Sequence, residues 1–101
     1  MTLKDNRREY DYGKLSRDSL SDCPFEQFEA WMQQALDANI VDPTAMCLAT
    51  VDDSGRPWQR VVLLKGFDEN GFVFYTNLSS RKALNINSNS QASIQFSWLQ
   101  L

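Results

Sequence analysis

The chain has 101 residues, 43% hydrophobic and 23% charged, which suits one domain with a modest core and excludes a wholly disordered or low-complexity chain. Ten cations against thirteen acids leave a net charge of −3 and a pI near 4.7, which argues against a nucleic-acid or anionic-membrane binder. Histidine is absent, so Ser-His-Asp and Cys-His catalysis and His-ligated zinc or haem are excluded within these residues, and no metal site or catalytic side chain is assigned.

Residues 1–22 are polar, carry Arg7, Arg8, Lys14 and Arg17 beside Tyr10 and Tyr12, and read as an N-terminal arm. No charged-then-apolar leader opens the chain, and no apolar run approaches the roughly 18 residues of a membrane span. Cys23 and Cys47 lie far apart without a CxxC pattern, which predicts reduced thiols in a cytoplasmic protein.

Residues 23–101 are the folded part. Pro24 suits the first turn of a helix over about 24–38, capped by Asp22 or Cys23. Its apolar face is Phe25, Phe28, Met32, Ala35 and Leu36, opposite Glu26, Gln27, Glu29, Gln33 and Asp37. Asp42-Pro43 breaks that period, and Ala45–Val51 reads as a buried strand. Asp52-Asp53-Ser54-Gly55 is turn chemistry, and a second strand follows over about 58–65. Asp68-Glu69-Asn70-Gly71 predicts another hairpin turn before a third strand over 72–76. Ser79 or Ser80 caps a short helix to about Ile86, and a fourth strand runs over 92–98. Hairpin-linked strands with few helices predict a mainly β protein, with three strands in one antiparallel meander. Four strands do not close a barrel, and an apolar final strand invites pairing with another chain, as an oligomer or as part of a longer protein.

Four of the ten cations, Arg60, Lys65, Arg81 and Lys82, flank these apolar runs. On a regular strand Arg60 and Lys65 point to opposite faces roughly 17 Å apart, so they serve two ends of a ligand, or two ligands, rather than one phosphate. The bland alternative is that both are solvated strand ends. Arg81 and Lys82 fall in the first turn of a helix, where cations oppose the macrodipole. An anion at the helix start removes that conflict, with Thr76, Ser79 and Ser80 as hydroxyl donors; a solvated face is again the alternative. Tyr75, Phe72, Phe74, Phe96 and Trp98 could flank a planar ring, but most of them read as core.

Arg60-Val61-Val62-Leu63-Leu64-Lys65, Phe74-Tyr75-Thr76-Asn77 and Ser80-Arg81-Lys82-Ala83 resemble the flavin-binding segments of the pyridoxamine 5′-phosphate oxidase family. Asp42-Pro43-Thr44-Ala45-Met46 and Arg7-Arg8-Glu9-Tyr10 extend the resemblance over nearly the whole chain, which matches the family's N-terminal half. It implies an FMN-binding split β-barrel, incomplete here, with flanking helices and the cofactor at a two-fold homodimer interface. It also implies oxidation of pyridoxamine or pyridoxine 5′-phosphate to pyridoxal 5′-phosphate, with hydride passing from C4′ to flavin and O2 reoxidising the flavin to give H2O2.

Carried over by position, Arg60, Arg81 and Lys82 resemble contacts to the flavin phosphate and ribityl chain. Val61, Val62, Leu63 and Leu64 correspond to backbone contacts to the isoalloxazine, with Tyr75 and Thr76 nearby. Lys65 resembles a ligand of the substrate phosphate at the end of that segment, and Arg7 and Tyr10 match the arm that closes over substrate. The family's second half supplies further phosphate ligands, an Arg and His pair near the reacting carbon, and flavin contacts from the partner subunit. The resemblance therefore implies half of a site, inactive alone. The alternative is a non-catalytic FMN-binding split-barrel module or a flavin reductase-like protein.

Overall fold

A computed structural model describes residues 1–7 and 15–101, which divide into two units: 1–40 with 98–101, and 41–97. Tyr10 of the expected arm lies outside the described residues.

In the first unit, a 3-10 turn over Arg17–Ser19 precedes helix α1, Pro24–Asp37. Pro24 occupies the first helical turn, where its missing N–H costs nothing. Cys23 is the N-cap but makes no side-chain cap bond. Ser21 binds the first turn instead: its N–H donates to Gln27 Oε1 at 2.7 Å and its hydroxyl to Glu26 Oε2 at 3.0 Å. The helix ends in a Schellman arrangement. Asn39 adopts φ 53°, its N–H donates to Leu36 O, and the N–H of Ile40 donates to Ala35 O. Met32 and Ala35 are buried, as the helical period predicts, but Leu36 is 47% exposed. Trp98 packs on Phe28 with ring centroids 5.7 Å apart.

The second unit holds the sheet. Strands β1 (Ala45–Val51) and β2 (Pro57–Leu63) pair antiparallel from Ala45 opposite Leu63 to Val51 opposite Pro57. Between them Gly55 takes φ +83°, a conformation that favours glycine. A three-residue ribbon pair, β3 (Gly66–Asp68) and β4 (Gly71–Val73), follows, then helix α2 (Arg81–Ser88) and strand β5 (Ala92–Gln95). β5 returns to the free side of β1, giving the order β2-β1-β5.

Several sequence expectations change here, among them the third strand, which ends at Val73 and not at 76. The second strand stops at Leu63: Leu64 N–H still donates to Thr44 O, but Lys65 N–H donates to Val73 O of the segment that follows. The chain turns a corner there, so β3 and β4 form a separate two-stranded ribbon rather than the third member of one meander. The last strand ends at Gln95 and not at 98. Of the aromatics read mostly as core, Phe74, Phe96 and Trp98 are half-buried, while Phe72, stacked on Phe67 across the ribbon, is 37% exposed and Tyr75 75%.

Alternation on β1 sends Met46, Leu48 and Thr50 inward, and α2 packs over that face with Ala83 and Asn85 buried. The opposite face of β2 leaves Val61 70% and Leu63 46% exposed. The result is a mainly β unit with an open sheet.

Candidate functional site

Trp58, Arg60 and Val62 occupy the half-buried face of β2, the face that β1 shares through Met46, Leu48 and Thr50. Arg60 is held there by neutral groups. Its Nη1 donates to Leu48 O at 3.0 Å and to Thr50 Oγ1 at 2.8 Å. The same hydroxyl accepts from Asn85 Nδ2 of α2 at 2.9 Å. Thr50 is fully buried and Asn85 is 1% exposed.

Arg81, at the first position of α2, lays its guanidinium over the Trp58 ring, 4.9 Å from the centroid. The indole is itself anchored, because Trp58 Nε1 donates to Asp52 Oδ2 at 3.0 Å. Asp52 Oδ1 accepts from the backbone N–H groups of Ser54 and Arg56, closing the β1–β2 turn. These bonds hold its carboxyl below the ordinary 3.8, the indole bond contributing most. Trp58 and Arg60 are two residues apart, roughly 7 Å along the strand, so both guanidinium groups belong to one face.

The start of α2 completes this region. Ser80 caps the helix by accepting from the Ala83 N–H at 3.4 Å, and its hydroxyl shares a hydrogen bond with Thr76 Oγ1 at 3.0 Å. Asn77 Oδ1 holds both the N–H and the hydroxyl of Ser79. The first turn contains no acid, while the N–H groups of Arg81 and Lys82 precede the first intrahelical partner. Anion-binding N–H groups, a positive dipole end and the guanidinium groups of Arg60 and Arg81 therefore come to one region, with Lys82 the second residue of the helix. It can hold a compact dianion but offers no acid–base pair, and no metal-binding cluster occurs among the described residues.

The remaining sequence-selected residues separate. Lys65 is exposed in the link between β2, which carries Arg60, and β3. Val61 and Leu63 present side chains on the exposed face, Val62 is half-buried, and Leu64 is 6% exposed. Backbone direction also alternates, and Leu64 N–H points to the β1 side. The amides of Val62 and Leu64 are thus in the ladder, whereas those of Val61 and Leu63 face the outer edge of β2. Tyr75 is 75% exposed, with Thr76 beside it. Arg7 is exposed in the first unit.

Sequence reasoning did not select Thr50, Asn85, Trp58 or Asp52. A threonine inside the apolar run Ala45–Val51 was the available clue to the first. Two open concavities of about 540 and 530 Å³ flank α1 and residues 15–22 and contain none of the selected residues.

A family model described as pyridoxamine 5′-phosphate oxidase matches residues 32–101. The chain belongs to the pyridoxamine 5′-phosphate oxidase family. A pyridoxine/pyridoxamine 5′-phosphate oxidase of Photobacterium profundum is 59% identical over 98 residues, covering 97% of this chain and 46% of that protein. Another from Shewanella frigidimarina is 60% identical over 96 residues, covering 95% and 45%. The chain therefore spans about half the length of the curated relatives it matches.

Among solved structures, PhzG from Burkholderia lata 383, in complex with tetrahydrophenazine-1-carboxylic acid, aligns with TM-score 0.75 and 29% identity over 78% of this chain and 39% of its own. A pyridoxamine 5′-phosphate oxidase-related, FMN binding protein from Nostoc punctiforme aligns with TM-score 0.62 and 29% identity, over 75% and 40%. The fold is that of the family's split barrel, and the barrel is not closed by these residues. No helix among the described residues is long and apolar enough to cross a membrane.

Proposed function

We propose that this chain forms the FMN-holding N-terminal half of a cytoplasmic, homodimeric pyridoxine/pyridoxamine 5′-phosphate oxidase. The observation that carries this reading is the gathering of Arg60, Arg81 and the free N–H groups of α2 on one region, with no carboxylate in the first helical turn. A flavin phosphate fits that chemistry. Arg60, Arg81 and Lys82 take the phosphate, with Thr76 at its margin. The outward backbone groups of Val61 and Leu63 meet the polar edge of the ring, and Tyr75 lies beside it. FMN supplies the two-electron redox chemistry when bound, and the protein binds and orients it.

Lys65, exposed past the end of β2, grips the substrate phosphate apart from the cofactor grip. Arg7 and Tyr10 belong to the arm over the substrate. Coverage of only 46% of a relative favours a flavin-holding module without turnover as the state of these residues alone. FMN bound without H2O2 release from pyridoxamine 5′-phosphate is the expected behaviour, and release of H2O2 would overturn that part.

The test is a titration of FMN and riboflavin followed near 450 nm. Charge-assisted hydrogen bonds contribute about 1.5–3 kcal/mol each. Arg81→Ala with Lys82→Ala should therefore weaken FMN binding by at least roughly 10-fold and leave riboflavin nearly unchanged. Equal loss for both ligands, or wild-type protein that ignores FMN, would refute the assignment.

A further inference from the structure

We propose that Thr50 and Asn85 are positioning residues that aim the Arg60 guanidinium at the ligand phosphate, an inference that rests on the FMN reading above. The argument begins with hydrogen-bond capacity. A guanidinium Nη carries two hydrogens, and both of those on Arg60 Nη1 are used, one on Leu48 O and one on Thr50 Oγ1. A hydroxyl accepts twice, and Thr50 Oγ1 accepts from Arg60 and from Asn85 Nδ2. Nη1 is thereby fixed at two points, so the plane of the fork is set. The Nη2 and Nε hydrogens have no protein partner among the described residues and remain as donors for a ligand.

The surroundings separate positioning from plain core structure. Thr50 and Asn85 are the two buried polar residues among those described, and they bond one another beneath a strand whose other inward residues are Met46 and Leu48. Valine and leucine fill such positions without needing partners. Fully buried charges are paired with a counter-charge, whereas Arg60 is only half-buried. Arg60 is matched by a carbonyl and a hydroxyl, which orient the cation, and no carboxylate among the described residues bonds to it. Arg81 follows the same rule on the same face, held by an indole. Two cations so oriented suit an incoming dianion, because less rotamer freedom is lost when it binds.

The experiment has a ligand-free arm and a ligand arm. In the free protein, the side-chain ¹⁵N–¹H resonances of Arg60 should be resolved and slow to exchange, and Thr50→Val or Asn85→Leu should collapse them while Thr50→Ser retains them. An Arg60 signal as mobile in wild type as in Thr50→Val would overturn the proposal whatever the protein does with flavin. In the ligand arm, Thr50→Val and Asn85→Leu should each weaken FMN binding by about 10-fold relative to riboflavin, the loss of one charge-assisted contact. Thr50→Ser should restore the ratio, and Thr50→Val should add nothing in an Arg60→Ala background. A merely structural role would lower the melting temperature and both affinities together, leaving the ratio unchanged, and that outcome would overturn the proposal. An ordered Arg60 in a wild-type protein that binds no FMN would overturn the flavin reading, and the ligand named here with it, while establishing the anchor. Asn85→Leu acts from α2, so the test survives if Thr50→Val fails to fold.

Discussion

Asp52 ties three donors to one carboxylate: the amides of Ser54 and Arg56 and the indole of Trp58. Its titration is depressed, so the stabilisation it gives is present above its ordinary 3.8 and is lost as pH falls through the lower folded value. Near-ultraviolet dichroism of the tryptophans should therefore hold steady from neutrality down to about pH 4 and change only below it. Asp52→Ala should show the acid-form signal at pH 7. Lys65 offers a contrasting residue. It is exposed beyond the end of β2, so Lys65→Ala should shift FMN affinity by no more than roughly 2-fold, as surface substitutions do. A loss as large as that of Arg81→Ala would move Lys65 into the cofactor grip. Cations at a helix start stand out in a sequence because they defy the macrodipole, whereas Thr50 and Asn85 do not, since one polar residue in an apolar run looks like an interruption.

At the scale of elements, the start of α1 was legible in Pro24, whereas its stop is Asn39 in the left-handed region, three residues before the Asp42-Pro43 break that the sequence suggests. Leu36 was placed wrongly because it sits at the edge of the apolar stripe, where period alone does not decide burial. The corner after β2 was hidden for a different reason. Leu63-Leu64-Lys65 continues the strand pattern, and the break shows only in the partners, Thr44 for the Leu64 amide and Val73 for the Lys65 amide. Helix α2 begins on Ser80, whose hydroxyl serves both Ala83 and Thr76. Ser80→Ala should cost about 0.5–2 kcal/mol. For a domain of this size that is a fall of roughly 4–8 °C in Tm per kcal/mol, measured by thermal melting.

Across the whole molecule, protection should follow the number of bonded neighbours. β1 is paired on both sides, by β2 and β5, while the three-residue strands β3 and β4 form a sheet of their own. Hydrogen exchange should find β1 amides the slowest and the β3–β4 ribbon among the fastest. Equal rates in the two would show that the ribbon is reinforced from elsewhere. The hairpin chemistry of each turn was readable locally, but which strand lies in the centre depends on residues more than forty positions apart, such as Cys47 opposite Gln95. The outer edge of β2 carries a last consequence, for variation. Whatever it recognises through the amides of Val61 and Leu63 is read from atoms that every amino acid but proline possesses. Those two side chains are free to drift in evolution without altering what the edge binds, and a substitution scan there should come out nearly silent except at proline.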